Sequence, residues 1–362
     1  MRRKNHGFTL IELLVVISIV GFLMSLGVSF LASAGRGNML IQTSNQMASL
    51  CASARNASVG NDRAFVVLEG LQKGGVLLRD FRFHQVFNWN CEDLSRASED
   101  VLMLSGVAMG EGDSPSGEGR HVTFNGGATL NLGNYSWLQM KDGIDLKVRL
   151  RPEKAAGSGG ITLFNKRGSY QVRLRRGSEG GYDVEVEVKL EQVRPGGAAG
   201  QTQSATLVTG FRDAAEIPEW RQPLHPGRWY DLRISYDRNE LSIFVDGRVR
   251  GQRTDLNWPL NLEDTPLLIG EGYVGGFDSL VISGIFEEDD DRFESHPTVD
   301  WVDADGKPKG GLYRIHYRSR RLDPRHHQGA VTVRFRLEGE RGASRTIRIA
   351  LSGELFIERV GR

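Results

Sequence analysis

The sequence predicts an α+β protein: one long N-terminal helix packed on a small antiparallel sheet, and an all-β sandwich beside it. Three observations lead there. Phe8 to Leu31 is an apolar run whose one charged residue is Glu12. From His121 onward, apolar and polar residues alternate in short stretches broken by glycine-rich turns. Period two is the strand period, and regular short strands with turn signals indicate a sandwich. The chain has 362 residues, which exceeds the usual single domain and suggests two folded units beyond the helix.

The N-terminal run is preceded by Arg2, Arg3 and Lys4. At 1.5 Å per residue it can cross a bilayer as a helix, with its basic side in the cytoplasm. A secretory signal peptide carries small residues after its apolar core. Here the small residue, Gly7, precedes the core. The order Lys4, Gly7-Phe8-Thr9-Leu10-Ile11-Glu12 resembles the class III leader of type IV prepilins and type II secretion pseudopilins. The resemblance implies that prepilin peptidase cuts after Gly7 and that the new N-terminus, Phe8, is methylated. It also implies that the helix serves first as an inner-membrane anchor and then as the core of a filament of pilin subunits. A carboxylate inside an apolar helix is costly unless paired, which makes Glu12 a functional candidate. The family supplies the pairing: the free amine of Phe8 on a neighbouring subunit. The plainer reading is an ordinary anchor with a Glu near the interface.

Formal charge is +1, and removal of Arg2, Arg3 and Lys4 shifts it to about −2. That balance argues against nonspecific nucleic-acid binding by the bulk chain. The two cysteines are Cys51 and Cys91. Export places them in an oxidising compartment, where they form either a bridge or two buried thiols. No CxxC or Cys/His metal spacing occurs, and no cofactor is expected.

Past the membrane run, Leu40, Ile41, Met47, Leu50, Ala54 and Ala57 recur at helical spacing, with Gly35 and Gly37 loosening the helix between its halves. The segment Leu50 to Ala57, followed by the apolar Ala64-Phe-Val-Val-Leu68, resembles minor pseudopilins of the H type and their FimT-like relatives. Leu77 to Phe83 reads as a strand, Asn88 to Cys91 as a turn and Glu92 to Ser98 as a short helix. Gly106 to Gly119 reads as a Gly/Ser linker.

A sandwich grammar follows in Asp145 to Leu150, Gly160 to Phe164, Ser169 to Leu174 and Tyr182 to Leu190. The hairpin Gly227-Arg-Trp-Tyr to Asp237, then Glu240 to Asp246-Gly-Arg248, resembles the LamG/concanavalin A-like jelly roll, as do Pro266 to Gly270 and Gly276 to Ser283. The likeness covers about 120 to 286 and speaks to fold more than ligand. Gly311 to Tyr317, Ala330 to Leu337 and Thr346 to Glu358 alternate again. The last segment resembles the two closing strands of H-type pseudopilins, which turn at a glycine. The expected layout is therefore leader 1–7, membrane helix 8–35, pseudopilin domain 36–118 and 287–362, and jelly roll 119–286 inserted between. Three domains in series is the alternative.

Four constellations could carry chemistry. Asp183, Glu185 and Glu187 share one strand face. Concanavalin-like endoglucanases use Glu-x-Asp-x-Glu there, so the order departs from their motif, and a solvated face is the expected role. The expectation is no enzyme. Arg314, Arg318, Arg320, Arg321 and Arg325 with His326 and His327 could touch DNA, as in some FimT-like minor pilins, or form an exposed sheet face. Trp258 and Tyr273 are candidates to stack on a glycan, with Tyr230 a further one and Trp229 assigned rather to packing. Glu287 to Asp291 is an acidic linker or, with its many oxygens, a calcium loop. The expected function is a minor pilin or pseudopilin, periplasmic in bulk, displaying a jelly roll that meets a glycan or protein. The alternative is an adhesin module on a membrane anchor.

Overall fold

The computed structural model describes residues 10–59, 63–71, 73–91, 103–111, 120–154, 161–177, 180–191, 202–209, 222–254, 256, 258–288, 292–302, 309, 311–324, 326–337 and 344–360. Side chains at 10, 12, 25–36, 103–105, 359 and 360 lie outside that description. The chain divides into two compact units. One joins both ends of the sequence, Met1–Arg82 with Glu287–Arg362; the other is the continuous Phe83–Phe286.

The first unit begins with an α-helix, Leu10–Ala57. Gly35 and Gly37 lie inside it without interrupting it. Its second half buries Leu40, Met47, Leu50, Cys51 and Ala54, a spacing that sets them on one face. Thr43 and Ser44 share that buried region, and their hydroxyls donate to the carbonyls of Met39 (2.9 Å) and Leu40 (2.7 Å). The polar groups are thus satisfied inside the helix itself. The helix faces the strand Arg63–Gly70, which pairs antiparallel with Val76–Trp89 on one side and Gly311–Arg318 on the other. The register Phe65↔His316 joins residues from opposite ends of the sequence. A second sheet runs Val299–Val302, Val331–Leu337, Ser344–Ile349, Leu355–Val360. Its closing hairpin turns at Gly353, whose φ of +80° suits glycine. Val333, Phe335, Ile347 and Ile349 meet the helix face in one core.

The second unit is a jelly-roll-like sandwich of two antiparallel sheets. One sheet runs Arg248–Arg253, Leu241–Val245, Tyr230–Tyr236, Ile144–Pro152, Val274–Glu287, Arg120–Asn125, Ala108–Glu111. The other runs Thr202–Val208, Tyr182–Glu191, Tyr170–Arg176, Ile161–Lys166, Leu267–Glu271, Thr129–Asn131, Met103–Ser105. Leu146, Val148, Ile234 and Leu280 from the first sheet share one core with Val172, Leu174, Val184 and Val186 from the second. Alternation in each strand sends these inward and the charged residues outward.

The structure redraws one boundary. Residues 83–118, expected in the pseudopilin domain, group with the sandwich. Ala108–Glu111, expected as linker, is a strand paired with Arg120–Asn125, and Val107 and Met109 pack on the sandwich core. The expected turn at Asn88 is a continuation of the Val76–Trp89 strand, since Phe87 and Trp89 are buried. The short helix expected at Glu92 to Ser98 lies outside the described residues.

Candidate functional site

The two halves of the long helix differ in what surrounds them. Ile11 is 75% exposed, Ile17 63%, Phe22 65% and Met24 67%, and Leu13, Leu14, Val15, Val16, Ile19, Val20 and Leu23 are exposed as well. These positions cover every side of the helix, so among the described residues no face from Leu13 to Met24 is packed on this chain. Ser18 donates its hydroxyl proton to the Leu14 carbonyl at 2.8 Å. Its polar group is therefore satisfied within the helix, as an apolar solvent requires. Among the described residues no helix is long and apolar enough to cross a membrane. Gly7 and Phe8 lie outside the described residues, and so does the side chain of Glu12.

The three carboxylates on Tyr182–Glu191 are engaged across the sheet. The register sets Asp183 opposite Arg175 and Glu185 opposite Arg173. Glu185, 8% exposed, takes ion pairs from Arg173 (3.3 Å) and Arg175 (2.5 Å), and Glu187 lies 4.0 Å from Arg173. Burial raises the Asp183 carboxyl, and Arg175 opposes that shift. This is a charge-paired sheet face.

Tyr273 is not a ligand platform. It is fully buried, its ring packs on Phe124 and Phe277, and its hydroxyl donates to the Gly276 carbonyl at 3.2 Å. Trp258 is half-buried against the sandwich core, and its carbonyl accepts from the Tyr236 hydroxyl. Trp229 meets His121 edge-on, with Arg151 over its ring. Cys51 and Cys91 form no bridge: both are buried thiols, one in each core. Burial pushes the Cys51 thiol up to about 12.

The basic tail does not form one exposed face. Arg314, His316 and His327 are buried, whereas Arg320 and Arg321 are exposed. The His316 amide donates to His327 Nε2 at 2.9 Å, and the His326 ring stacks on His316 with centroids 4.0 Å apart. Burial first, then His326, His327, Arg314 and Arg63, hold His316 well below the usual imidazole range. Burial and His326 bring His327 down to about 4. Arg325 lies outside the described residues. In the acidic stretch, Glu287 is 3.5 Å from Arg79 and Glu288 is 3.9 Å from Arg82, which draws both away from a calcium-ligand role. Asp289, Asp290 and Asp291 are outside the description.

Sequence reasoning missed Lys166. It is fully buried in the sandwich, and its Nζ donates to Asn134 Oδ1 (3.1 Å) and the Thr265 carbonyl (2.8 Å). Burial lowers its pKa, with Asp264 opposing. Asn165-Lys-Arg-Gly168 reads locally as a polar strand end, and the loops that cover it come from distant parts of the chain.

Residues 2–28 match the prokaryotic N-terminal methylation motif. The chain therefore carries a type IV pilin-like leader at its N-terminus. Comparison with curated protein sequences gives no match. Among solved structures, domain 4 of AbnA, a GH43 extracellular arabinanase from Geobacillus stearothermophilus in complex with arabinotriose, is 14% identical at a TM-score of 0.37. That match covers 59% of this chain and 95% of that one. The carbohydrate recognition domain of Emp46p is 15% identical at a TM-score of 0.32, covering 55% and 97%. A glycoside hydrolase family 16 endo-glucanase from Bacteroides ovatus is 11% identical at 0.33, covering 56% and 100%. Likeness at this level says nothing of ligand or reaction.

Proposed function

We propose that this chain is a pilin-like subunit, a minor pilin or H-type, FimT-like pseudopilin, of a type II secretion or type IV pilus-like filament. The observation that carries the reading is a juxtaposition. A methylation motif over residues 2–28 leads into a helix that leaves its apolar side chains unpacked on all sides to Met24 and then buries one face from Leu40 onward. An unpacked apolar helix needs lipid or other apolar helices around it. In this reading prepilin peptidase cuts after Gly7, and Phe8 becomes the methylated N-terminus. The helix holds the chain in the inner membrane, with Arg2, Arg3 and Lys4 cytoplasmic before cleavage and both folded units outside. Assembly then exchanges lipid for neighbouring helices. Glu12 pairs with the Phe8 amine of the next subunit and sets its axial register. The role is assembly and display, not catalysis.

The test is Glu12→Gln, which keeps size and removes charge. Left alone in lipid, a carboxylate costs roughly 2.5–3.5 kcal/mol on the insertion scale. The Gln variant should insert at least as well as the parent, be cleaved as well, and crosslink less to partner pilins. Equal crosslinking would remove Glu12 from assembly.

A further inference from the structure

The second unit holds a cavity of ≈ 360 Å³ that neither the leader nor the assembly reading uses. It is walled by Arg228, Arg248 and Arg250, with Asp246, His225 and Gln222 beside them; Pro223, Val245 and the ring of Tyr230 are its apolar contacts. Arg228 lies just before the strand Tyr230–Tyr236, its guanidinium 5.4 Å from the Tyr230 ring centre. Arg248 and Arg250 sit on Arg248–Arg253, which ends its sheet.

Local structure aims these groups. Asp246 and Gly247 both have positive φ, +51° and +74°, as the tightest hairpin turn requires. The Asp231 amide donates to Asp246 Oδ1 at 2.9 Å, and the Asp246 amide donates to the Asp231 carbonyl at 2.9 Å. The turn is therefore pinned, and one oxygen of the Asp246 carboxylate is already in use. Beyond it the register passes from Phe244↔Val249 to Ile243↔Gly251. Arg250 is the extra residue of a β-bulge, a device that re-aims a side chain.

Arg250 is unusual in what it lacks. Its Nη1 donates to the Gln222 carbonyl at 3.0 Å, and among the described residues its buried Nε meets no hydrogen-bond partner. Burial lowers its pKa, as do Arg248 and Arg228; Asp246 and Tyr230 oppose them. Guanidinium stays protonated in proteins, so among the described residues the site holds three positive charges against one carboxylate. Three guanidinium groups gathered on one cavity wall repel one another, and an oxyanion bound among them would offset that repulsion.

We propose that this cavity binds a small hydroxylated carboxylate, either a free sugar acid or the acidic unit of a saccharide, through Arg228, Arg248 and Arg250. A carboxylate matches the fork of a guanidinium in two parallel hydrogen bonds. The rest of the wall favours hydroxyls over apolar groups, since Gln222, His225 and Asp246 supply donors and acceptors. An acidic peptide anchors through several apolar and aromatic contacts, of which this wall offers Pro223, Val245 and the single ring of Tyr230. The site lies wholly within the sandwich, so the proposal stands or falls apart from the assembly reading.

Calorimetric titration of the full chain in detergent micelles tests it, with glucuronate, its methyl ester, glucose and a glucuronate tetrasaccharide as probes. Glucuronate should bind at least about tenfold tighter than the ester or glucose. The difference should shrink as salt rises. Arg250→Lys keeps the charge and removes the fork, and should weaken glucuronate by about fivefold or more. Arg248→Ala, on the exposed hairpin, should do the same while thermal melting stays at the parent value. Tighter binding of the tetrasaccharide assigns the saccharide as source; equal binding assigns the free acid, and either result upholds the site. Equal binding of glucuronate and its ester, no binding of any acid at millimolar concentration, or parental affinity in both variants would overturn it. So would a hexaglutamate peptide that binds tighter than every sugar acid.

Discussion

Truncating one leucine in each half of the long helix separates its two roles. Leu50 is 1% exposed and shares a core with Val333, Phe335, Ile347 and Ile349. Leu50→Ala removes three carbons from a closed environment, and such changes cost about 2–5 kcal/mol. Leu14 is 59% exposed, with no packed neighbour face. Leu14→Ala should therefore change the stability of the first unit by no more than about 0.5 kcal/mol. The assay is amide hydrogen exchange of the full chain in detergent, read on Val331–Leu337 and Ser344–Ile349. Where exchange follows opening of the unit, each 1.4 kcal/mol is about tenfold in rate. Leu50→Ala should then speed exchange by at least about thirtyfold, and Leu14→Ala by about twofold or less. Similar rates in the two variants would mean that the helix is not divided into a packed and an unpacked half.

Three further outcomes are expected. Excising residues 83–286 and joining Arg82 to Glu287 by a short Gly/Ser linker should leave the first unit folded, with protected amides in Arg63–Gly70; a molten product would mean that it cannot stand without the sandwich. Asp183→Asn, Glu185→Gln and Glu187→Gln together should abolish no glycan hydrolysis, because their partners are structural arginines; turnover by the parent that vanishes in the triple variant would reverse this. Acid should destabilise the first unit. His316 and His327 have folded pKa values below the unfolded imidazole value, His327 at about 4, so the unfolded chain binds more protons between about pH 6.5 and 4. Stability is then full above about pH 6.5 and falls as pH drops toward 4. Urea midpoints at pH 7, 5.5 and 4 should decrease in that order, and a flat series would refute the burial of these rings.

The chain's strands were legible because their alternation is local. Asp145 to Leu150 and Tyr182 to Leu190 show it without any knowledge of partners. The start of the sandwich was not legible, because Gly106 and Gly110 flank Val107 and Met109 in a segment whose burial depends on pairing with Arg120–Asn125. Tyr273 sits among glycines and reads as a loop aromatic. Gly270 at φ +82° and Gly275 at φ +144° let the backbone turn so that the ring points into the core. The role of Glu185 depended on the register that sets arginines across from it. The arginine cavity was hidden for the same reason: Arg228 and Arg250 are brought together by a hairpin, and the bulge that aims Arg250 leaves no mark in composition. The leader needed none of this, since its spacing is contiguous in the chain.

Intact-mass and N-terminal peptide analysis of the chain purified from a membrane fraction bears most directly on the assembly reading. The expected mature chain begins at Phe8 with one added methyl group on its amine, and Gly7→Ala should retain Met1 to Gly7. A parent chain that keeps residues 1–7, or one cut at a small residue beyond Leu31, would contradict the pilin-like reading.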